Sequence, residues 1–294
     1  MKNSKELNND EIKQMMFSIA KSLIIHYIKQ NYSKKENIEE EIERINGIFD
    51  ELEIDFENKE EGSGVLGRAI KDIPRVILYF KNKEEISWEE ATNYIETLVH
   101  EIYHCISKEH QKGRDKIKTT FLEEGYVSYM TTKTIRYAKE NIIDIPGIDK
   151  EELKIILQKQ NLKNSYIHES EFVRSTQLLM EQYGIDSSYE YIFYGQDRLI
   201  EIADQISPEF GTIMRMQDKK LTHVENYDFE KEFFKKEFKK IDFSNISITI
   251  VEMNKLLQQF LIDSGEINRN PNVYELVKRY APKGIREKQH EIKR

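Results

Sequence analysis

The segment SWEEATNYIETLVHEIYHCISK, residues 87–108, carries the strongest pattern in the chain. Ser87 is followed three residues later by Glu90, a pairing typical of the capping box that begins a helix. The apolar residues that then recur at helical spacing are Ala91, Tyr94, Ile95, Leu98, Val99, Ile102 and Ile106. This pattern predicts one amphipathic helix from Ser87 to Lys108, with its apolar face in the core.

Two histidines share a neighbouring stripe of this helix. His100 and His104 are four residues apart, so both imidazoles can point at one position. They can supply two corners of a tetrahedral zinc site. Glu101 is rotated away from that axis and can take a proton from a metal-bound water. The string HEIYH thus matches the H-E-x-x-H motif of zinc metallopeptidases. A chance occurrence of this short string is the alternative, and a third ligand decides between the two.

The segment FLEEGYVSYMTTKTIRYAKE, residues 121–140, offers that third ligand. The string beginning at Glu124 resembles the N-E-G-F-A-x-Y stretch of the aminopeptidase N family, whose Glu binds zinc. Nineteen residues separate His104 from Glu124, as in thermolysin-like enzymes. The resemblance implies a gluzincin in which Glu124 is the ligand, and Glu123 also fits by distance. Without HEIYH, two adjacent glutamates would be expected only to complement the dipole at a helix N-terminus.

Residues 165–184, SYIHESEFVRSTQLLMEQYG, resemble the helix that begins with S-Y-x-K-G-A in the aminopeptidase N family. The matched tyrosine of that family donates a hydrogen bond to the oxyanion of the tetrahedral intermediate, so the resemblance implies this role for Tyr166. The family's Lys-Gly is replaced here by His168 and Glu169. His168 and His223 are alternative oxyanion donors. Packing of Tyr166 in the core is the alternative that involves no chemistry.

A change of pattern between residues 53 and 80 predicts a small sheet packed on the HEIYH helix. The strand candidates are residues 53–56, residues 65–70 and RVILYF at residues 75–80. In gluzincins the edge strand of such a sheet holds extended substrate by backbone pairing. The residues that this resemblance assigns to substrate binding are Gly64, Val65, Leu66, Gly67 and Arg68. The G-A-M-E-N string of true aminopeptidases is absent, so an endopeptidase is favoured.

Composition limits the class of protein. The chain has 294 residues, 38% hydrophobic and 33% charged, which is typical of a soluble globular protein. The net charge of −8, with both signs interspersed, gives no indication of nucleic acid or an anionic membrane as partner. The single cysteine, Cys105, excludes an internal disulfide. The absence of a signal peptide or membrane-spanning run predicts a cytoplasmic protein, with export by another route left open.

Helical periodicity also predicts an antiparallel pair of N-terminal helices, over residues 10–30 and 35–53. Asp149 followed by Glu152 predicts a further helix start. The remaining predicted helices cover residues 187–206, 227–241 and 244–263. The apolar stripe of residues 244–263 is typical of packing rather than of a cofactor site.

Together these patterns predict a mostly helical α+β protein with a small N-terminal sheet and a helical C-terminal lobe. The predicted regions are a helical segment at residues 1–52, a gluzincin-like catalytic core at residues 53–184 and a helical region at residues 185–294. The resemblance covers residues 64–184 and implies a Zn²⁺-dependent peptidase that acts on a peptide or protein substrate. A catalytically inactive gluzincin-fold binding or interaction protein is the alternative, as is a helical interaction protein with a coincidental motif.

Overall fold

The computed structural model describes residues 7–70, 73–108, 121–160 and 183–206, and the separate positions 173, 176, 177, 180, 181, 211 and 214. These residues form mainly helices, together with a small sheet of three strands. The predicted α+β class is therefore confirmed. In this part of the chain none of the helices combines the length and apolarity needed to cross a membrane.

The helices and strands follow one another in a simple order. The helices of the described residues are α1 Asn9–Tyr32, α2 Ile38–Glu51, α3 Trp88–Thr92, α4 Ile95–Ile106, α5 Phe121–Glu140, α6 Lys150–Lys159, α7 Ser187–Tyr194 and α8 Gln196–Ile206. The strands are β1 Glu53–Asn58, β2 Gly67–Ile70 and β3 Arg75–Phe80. The predicted helices at residues 227–241 and 244–263 lie outside the described residues.

The described residues belong to two compact units. Residues 7–108 and 127–160 belong to the first, and residues 121–126 and 183–206 belong to the second. Helix α5 therefore begins in the second unit and continues in the first. The domain boundaries predicted at residues 52 and 184 stay a prediction.

The first two helices form the predicted antiparallel pair. Helix α1 begins with a capping box, in which the side chain of Asn8 accepts from the amide of Glu11 and the side chain of Glu11 accepts from the amide of Asn8. The rings of Phe17 on α1 and Phe49 on α2 pack edge to face, with centroids 5.8 Å apart. A residue in the first half of α1 thus meets one near the end of α2, as an antiparallel pair requires.

The sheet has the strand order β1-β3-β2, with β1 parallel and β2 antiparallel to the central strand β3. Strand β2 is consequently an edge strand, as predicted, although it begins at Gly67 rather than Val65. Its pairing with β3 extends one residue further back, because the amide of Tyr79 donates to the carbonyl of Leu66 at 2.9 Å. Helix α4 packs on both β2 and β3, which confirms the expected contact between the sheet and the HEIYH helix.

The prediction of one helix over residues 87–108 is wrong, because the segment folds as the two helices α3 and α4. Ser87 begins α3 as expected, since its side chain accepts from the amide of Glu90 at 3.1 Å. The amides of Asn93 and Tyr94 then donate to carbonyls only three residues earlier, each at 3.0 Å. This tight turn ends α3, and a new helix begins after Tyr94.

A glutamine far along the chain stabilises the junction between α3 and α4. The side chain of Gln160 is buried, and its Nε2 donates to the carbonyl of Thr92 at 2.8 Å. Its Oε1 accepts from the amide of Glu96 at 3.0 Å. The broken helix would otherwise lack intrahelical partners for these two backbone groups. Gln160 is held in turn by Lys139, whose Nζ donates to its backbone carbonyl at 2.9 Å.

Replacing Gln160 with leucine is expected to destabilise the protein by about 2 to 3 kcal/mol, because it deprives two largely buried backbone groups of their partners. Urea denaturation followed by far-UV circular dichroism measures the change. Gln158→Leu is the matched control, since Gln158 lies in the last turn of α6, two residues before Gln160, and is exposed. Equal midpoints for the two variants would contradict the assigned role of Gln160.

A second helix prediction, in the second unit, is also wrong. Residues 187–206 form two helices, α7 and α8, rather than one. The break is at Gly195, whose φ of 87° lies in a region that residues with a side chain rarely adopt. The amide of Gly195 still donates to the carbonyl of Tyr191 at 2.8 Å, so the last turn of α7 is closed before the chain changes direction.

Candidate metal centre

Helix α4 carries the motif and fixes its orientation. The apolar face of α4 is fully buried, at Ile95, Leu98, Val99, Ile102 and Ile106. His104 and Glu101 lie beside this face and are 4% and 8% exposed, while His100 is half-buried. Burial of the apolar face thus determines where the two imidazoles and the carboxylate point.

The two histidines and Glu124 form one group. Nε2 of His100 lies 3.2 Å from Nε2 of His104. The potential ligand atoms of His100, His104 and Glu124 all lie within 4.8 Å of one another. Among the described residues, this is the one group of three such side chains that could hold a metal ion. The fold thus brings together the three residues that the sequence predicted as ligands.

The spacing of the two histidines is compatible with a zinc site. Two imidazole nitrogens at about 2.0 to 2.1 Å from a tetrahedral zinc ion are about 3.3 to 3.4 Å apart. The separation of 3.2 Å between the Nε2 atoms of His100 and His104 is close to that value. Two imidazoles and one carboxylate are moreover the three protein ligands of a common type of catalytic zinc site. The three side chains could therefore hold a metal ion, and the spacing of the two histidines is compatible with zinc.

Contacts of α5 within the first unit determine the path of the helix that carries Glu124. The hydroxyl of Tyr103, within HEIYH, is hydrogen-bonded to Oγ1 of Thr134 at 2.6 Å. The hydroxyl of Tyr32 on α1 donates to the sulfur of Met130 at 3.6 Å. Burial raises the pKa of Tyr103, so its hydroxyl stays protonated. These bonds fix the portion of α5 that follows Glu124.

The bond between Tyr103 and Thr134 gives a test of this packing. Tyr103→Phe is expected to cost about 1 to 2 kcal/mol, because it leaves the hydroxyl of Thr134 buried without this partner. Thr134→Val should have a comparable effect. The double variant should cost less than the sum of the two, since neither polar group then remains. Urea denaturation of the four proteins measures the coupling, and strictly additive costs would contradict it.

The carboxylate of Glu101 has a backbone partner in the sheet. Its Oε2 accepts from the amide of Ala69 in β2 at 2.8 Å. A Cβ at Gly67 would lie 2.7 Å from Cγ2 of Thr97 and 3.0 Å from Cγ of Glu101. Strand β2 thus lies directly against α4. The sequence predicted that the sheet packs on this helix but missed the bond from Ala69 to Glu101. It assigned Gly67 only to substrate binding, although a glycine inside a strand is a known sign of close backbone approach.

Cys105 lies next to the motif without adding a ligand to it. Its side chain is 2% exposed. Burial, and after it the negative charge of Glu101, raises the pKa of the Cys105 thiol. The thiol therefore stays protonated, and it packs as a small apolar side chain.

The other predicted site residues lie outside the group formed by the two histidines and Glu124, or outside the described residues. Glu123 is buried, at 4% exposure, but it is not part of the group formed by the two histidines and Glu124. The residues of the predicted edge segment that precede β2 are Gly64, Val65 and Leu66, all exposed. The predicted oxyanion donors that lie outside the described residues are Tyr166, His168 and His223. Their role stays a prediction.

Comparisons of this chain with protein-family models, with curated proteins and with solved structures each find no match.

Proposed function

We propose that the protein is a zinc-dependent peptidase of the gluzincin type, acting as an endopeptidase on peptide or protein substrates. The observation that supports this proposal most is the approach of three potential ligand atoms, from His100, His104 and Glu124, to within 4.8 Å of one another. Glu101 adds a carboxylate one residue after the first of these ligands. A group of ligands accompanied by an acid-base residue is what metal-assisted hydrolysis requires.

The proposal gives each residue a distinct task. His100, His104 and Glu124 would hold the zinc ion, and three protein ligands are the number found in catalytic rather than structural zinc sites. When bound in such a site, zinc lowers the pKa of water to about 7 and polarises a carbonyl group. Glu101 would accept the proton of the attacking water and deliver it to the leaving amine. Tyr166, with His168 and His223 as alternatives, would donate a hydrogen bond to the oxyanion.

The edge strand β2 supports a peptide as the substrate class. An edge strand presents backbone amides and carbonyls with which an extended peptide can pair. Two apolar side chains next to this strand are exposed, Val65 at 52% and Leu66 at 44%. They would offer apolar contact to the side chains of such a peptide. The lack of a G-A-M-E-N string favours an endopeptidase over an aminopeptidase.

Metal analysis and peptide cleavage together test the proposal. The protein, purified at neutral pH without chelator, is expected to contain one zinc ion per chain, because the described residues hold one such group of ligands. It should cleave members of a peptide library, lose this activity with 1,10-phenanthroline and regain it with added zinc. Absence of stoichiometric zinc would refute the proposal. Bound zinc without cleavage of any peptide or protein substrate would favour the alternative of an inactive binding protein.

A further inference from the structure

The register of the sheet shows which backbone groups of β2 face outward. The amide of Tyr79 donates to the carbonyl of Leu66, the residue opposite it. Opposite residues of an antiparallel pair alternate between hydrogen-bonded and non-hydrogen-bonded pairs. The next pairs along β2 are Gly67 with Leu78, Arg68 with Ile77, Ala69 with Val76 and Ile70 with Arg75. The amides and carbonyls of Gly67 and Ala69 therefore point away from β3, toward the free edge of the sheet.

One of these outward amides is engaged by the motif helix. The amide of Ala69 donates to Oε2 of Glu101 at 2.8 Å. Glu101 is 8% exposed, so its carboxylate has little water around it and depends on protein donors. A hydrogen bond from a backbone amide to a carboxylate is charge-assisted and about twice as strong as a neutral one. This bond therefore restrains the carboxylate of Glu101 against rotation.

The lack of a side chain at Gly67 permits this approach. Gly67 and Ala69 are two residues apart in a strand, so the Cβ positions of both lie on the face that meets α4. A Cβ at Gly67 would contact Cγ2 of Thr97 at 2.7 Å and Cγ of Glu101 at 3.0 Å. Either β2 would have to move away from α4 or the side chain of Glu101 would have to turn. Both movements would lengthen or break the bond to Ala69.

From these observations we infer that Gly67 and Ala69 are positioning residues, which hold the carboxylate of Glu101 in the orientation required for proton transfer. The inference rests on the proposed function. It adds that β2 serves both steps, because the amide of Ala69 orients the acid-base group and the remaining outward backbone groups of β2 would pair with an extended peptide. Arg68, between the two, points its backbone groups into the sheet and has no part in this.

The hydrogen bond itself can be tested without any activity. In protein labelled with ¹⁵N-alanine, the amide proton of Ala69 is expected at low field, because its acceptor is a carboxylate. Glu101→Gln should move it upfield, since a neutral amide oxygen is a weaker acceptor. The amide of Ala91, which donates to the backbone of Ser87 at 2.9 Å, is the internal control and should not move. An Ala69 amide resonance at the same chemical shift in the wild-type protein and in Glu101→Gln would overturn the inference.

The functional consequence is tested by removing the donor from the backbone of Ala69. Replacing Ala69 with lactic acid turns its amide into an ester of nearly the same shape. This change is expected to lower kcat by about 10- to 100-fold, with KM and zinc content unchanged, because misplacement of a catalytic group by about 1 Å can cost about 100-fold. The matched control is lactic acid in place of Ala91 on α3, whose amide donates to the carbonyl of Ser87 at 2.9 Å. The control should lower stability and leave kcat unchanged.

Gly67→Ala provides a second, independent variant. It is expected to lower kcat in the same way, and combining it with Thr97→Ala should recover stability but not kcat, because the contact with Glu101 remains. A rise in KM with unchanged kcat would instead indicate that β2 only binds substrate.

The positioning role and the proposed function can be contradicted independently of each other. Unchanged kcat in an active protein overturns the positioning role, whereas a wild-type protein that cleaves no peptide overturns the proposed function but leaves the shift of the Ala69 resonance.

Discussion

Glutamine in place of Glu101 is expected to abolish peptide cleavage and to leave zinc bound. Glutamine has nearly the same shape as glutamate but cannot accept a proton at neutral pH, so the acid-base step loses its group. General acid-base catalysis contributes about 100- to 10,000-fold, and kcat should fall by at least that factor. Steady-state kinetics on a peptide cleaved by the wild-type protein, with zinc measured by mass spectrometry, gives both quantities.

Glu89→Gln is the matched control for this experiment. Glu89 lies on α3, within the same segment of the sequence, and its side chain is 85% exposed. The same chemical change there should alter neither kcat nor zinc content. A Glu101→Gln protein with wild-type kcat would remove Glu101 from the proposed mechanism. Loss of zinc together with activity would mean that the variant disturbs the ligands, and it would leave no support for a separate acid-base role.

Zinc affinity is expected to distinguish the two adjacent glutamates of α5. Glu124→Gln should weaken zinc binding by more than about 100-fold, since loss of even an outer partner of a metal ligand costs about 10- to 100-fold. Glu123→Gln should leave the affinity nearly unchanged. Both side chains are buried, at 5% and 4% exposure, so burial alone cannot produce a difference between the variants.

Competition with a chromophoric chelator measures the dissociation constants of the wild-type protein and both variants. Far-UV circular dichroism and urea denaturation of the zinc-free proteins show whether either substitution alters the fold. The opposite order, with Glu123→Gln losing zinc and Glu124→Gln keeping it, would transfer the ligand role to Glu123. Equal affinities in all three proteins would remove α5 from the metal site.

Local patterns account for the parts of the structure that the sequence predicted well. The helical repeat alone predicts that His100 and His104 lie on one side of a helix. Apolar periodicity within each segment predicts α1, α2 and β3. The prediction that Glu124 joins the two histidines required one further piece of information, the sequence spacing typical of gluzincins. The structure brings it to the two histidines as that spacing implied.

Contacts between residues far apart in the chain account for the parts that the sequence did not predict. The periodicity of residues 87–108 is unbroken, yet the helix ends at Thr92, because Gln160 supplies hydrogen-bond partners from 68 and 64 residues away. The bond from Ala69 to Glu101 likewise joins residues 32 positions apart. Single-segment patterns carry no information about such partners. Only Gly67, an isolated glycine in a strand, gave a local sign of close approach.

The hydrogen bonds of Gln160 also bear on how the protein can be shortened. A fragment that ends at Glu140 would retain the HEIYH string, the sheet and Glu124, and would seem sufficient from its motifs alone. It would nevertheless lack the residue that joins the end of α3 to the first turn of α4. Any truncated version intended to keep the histidines in place must therefore extend at least through residue 160.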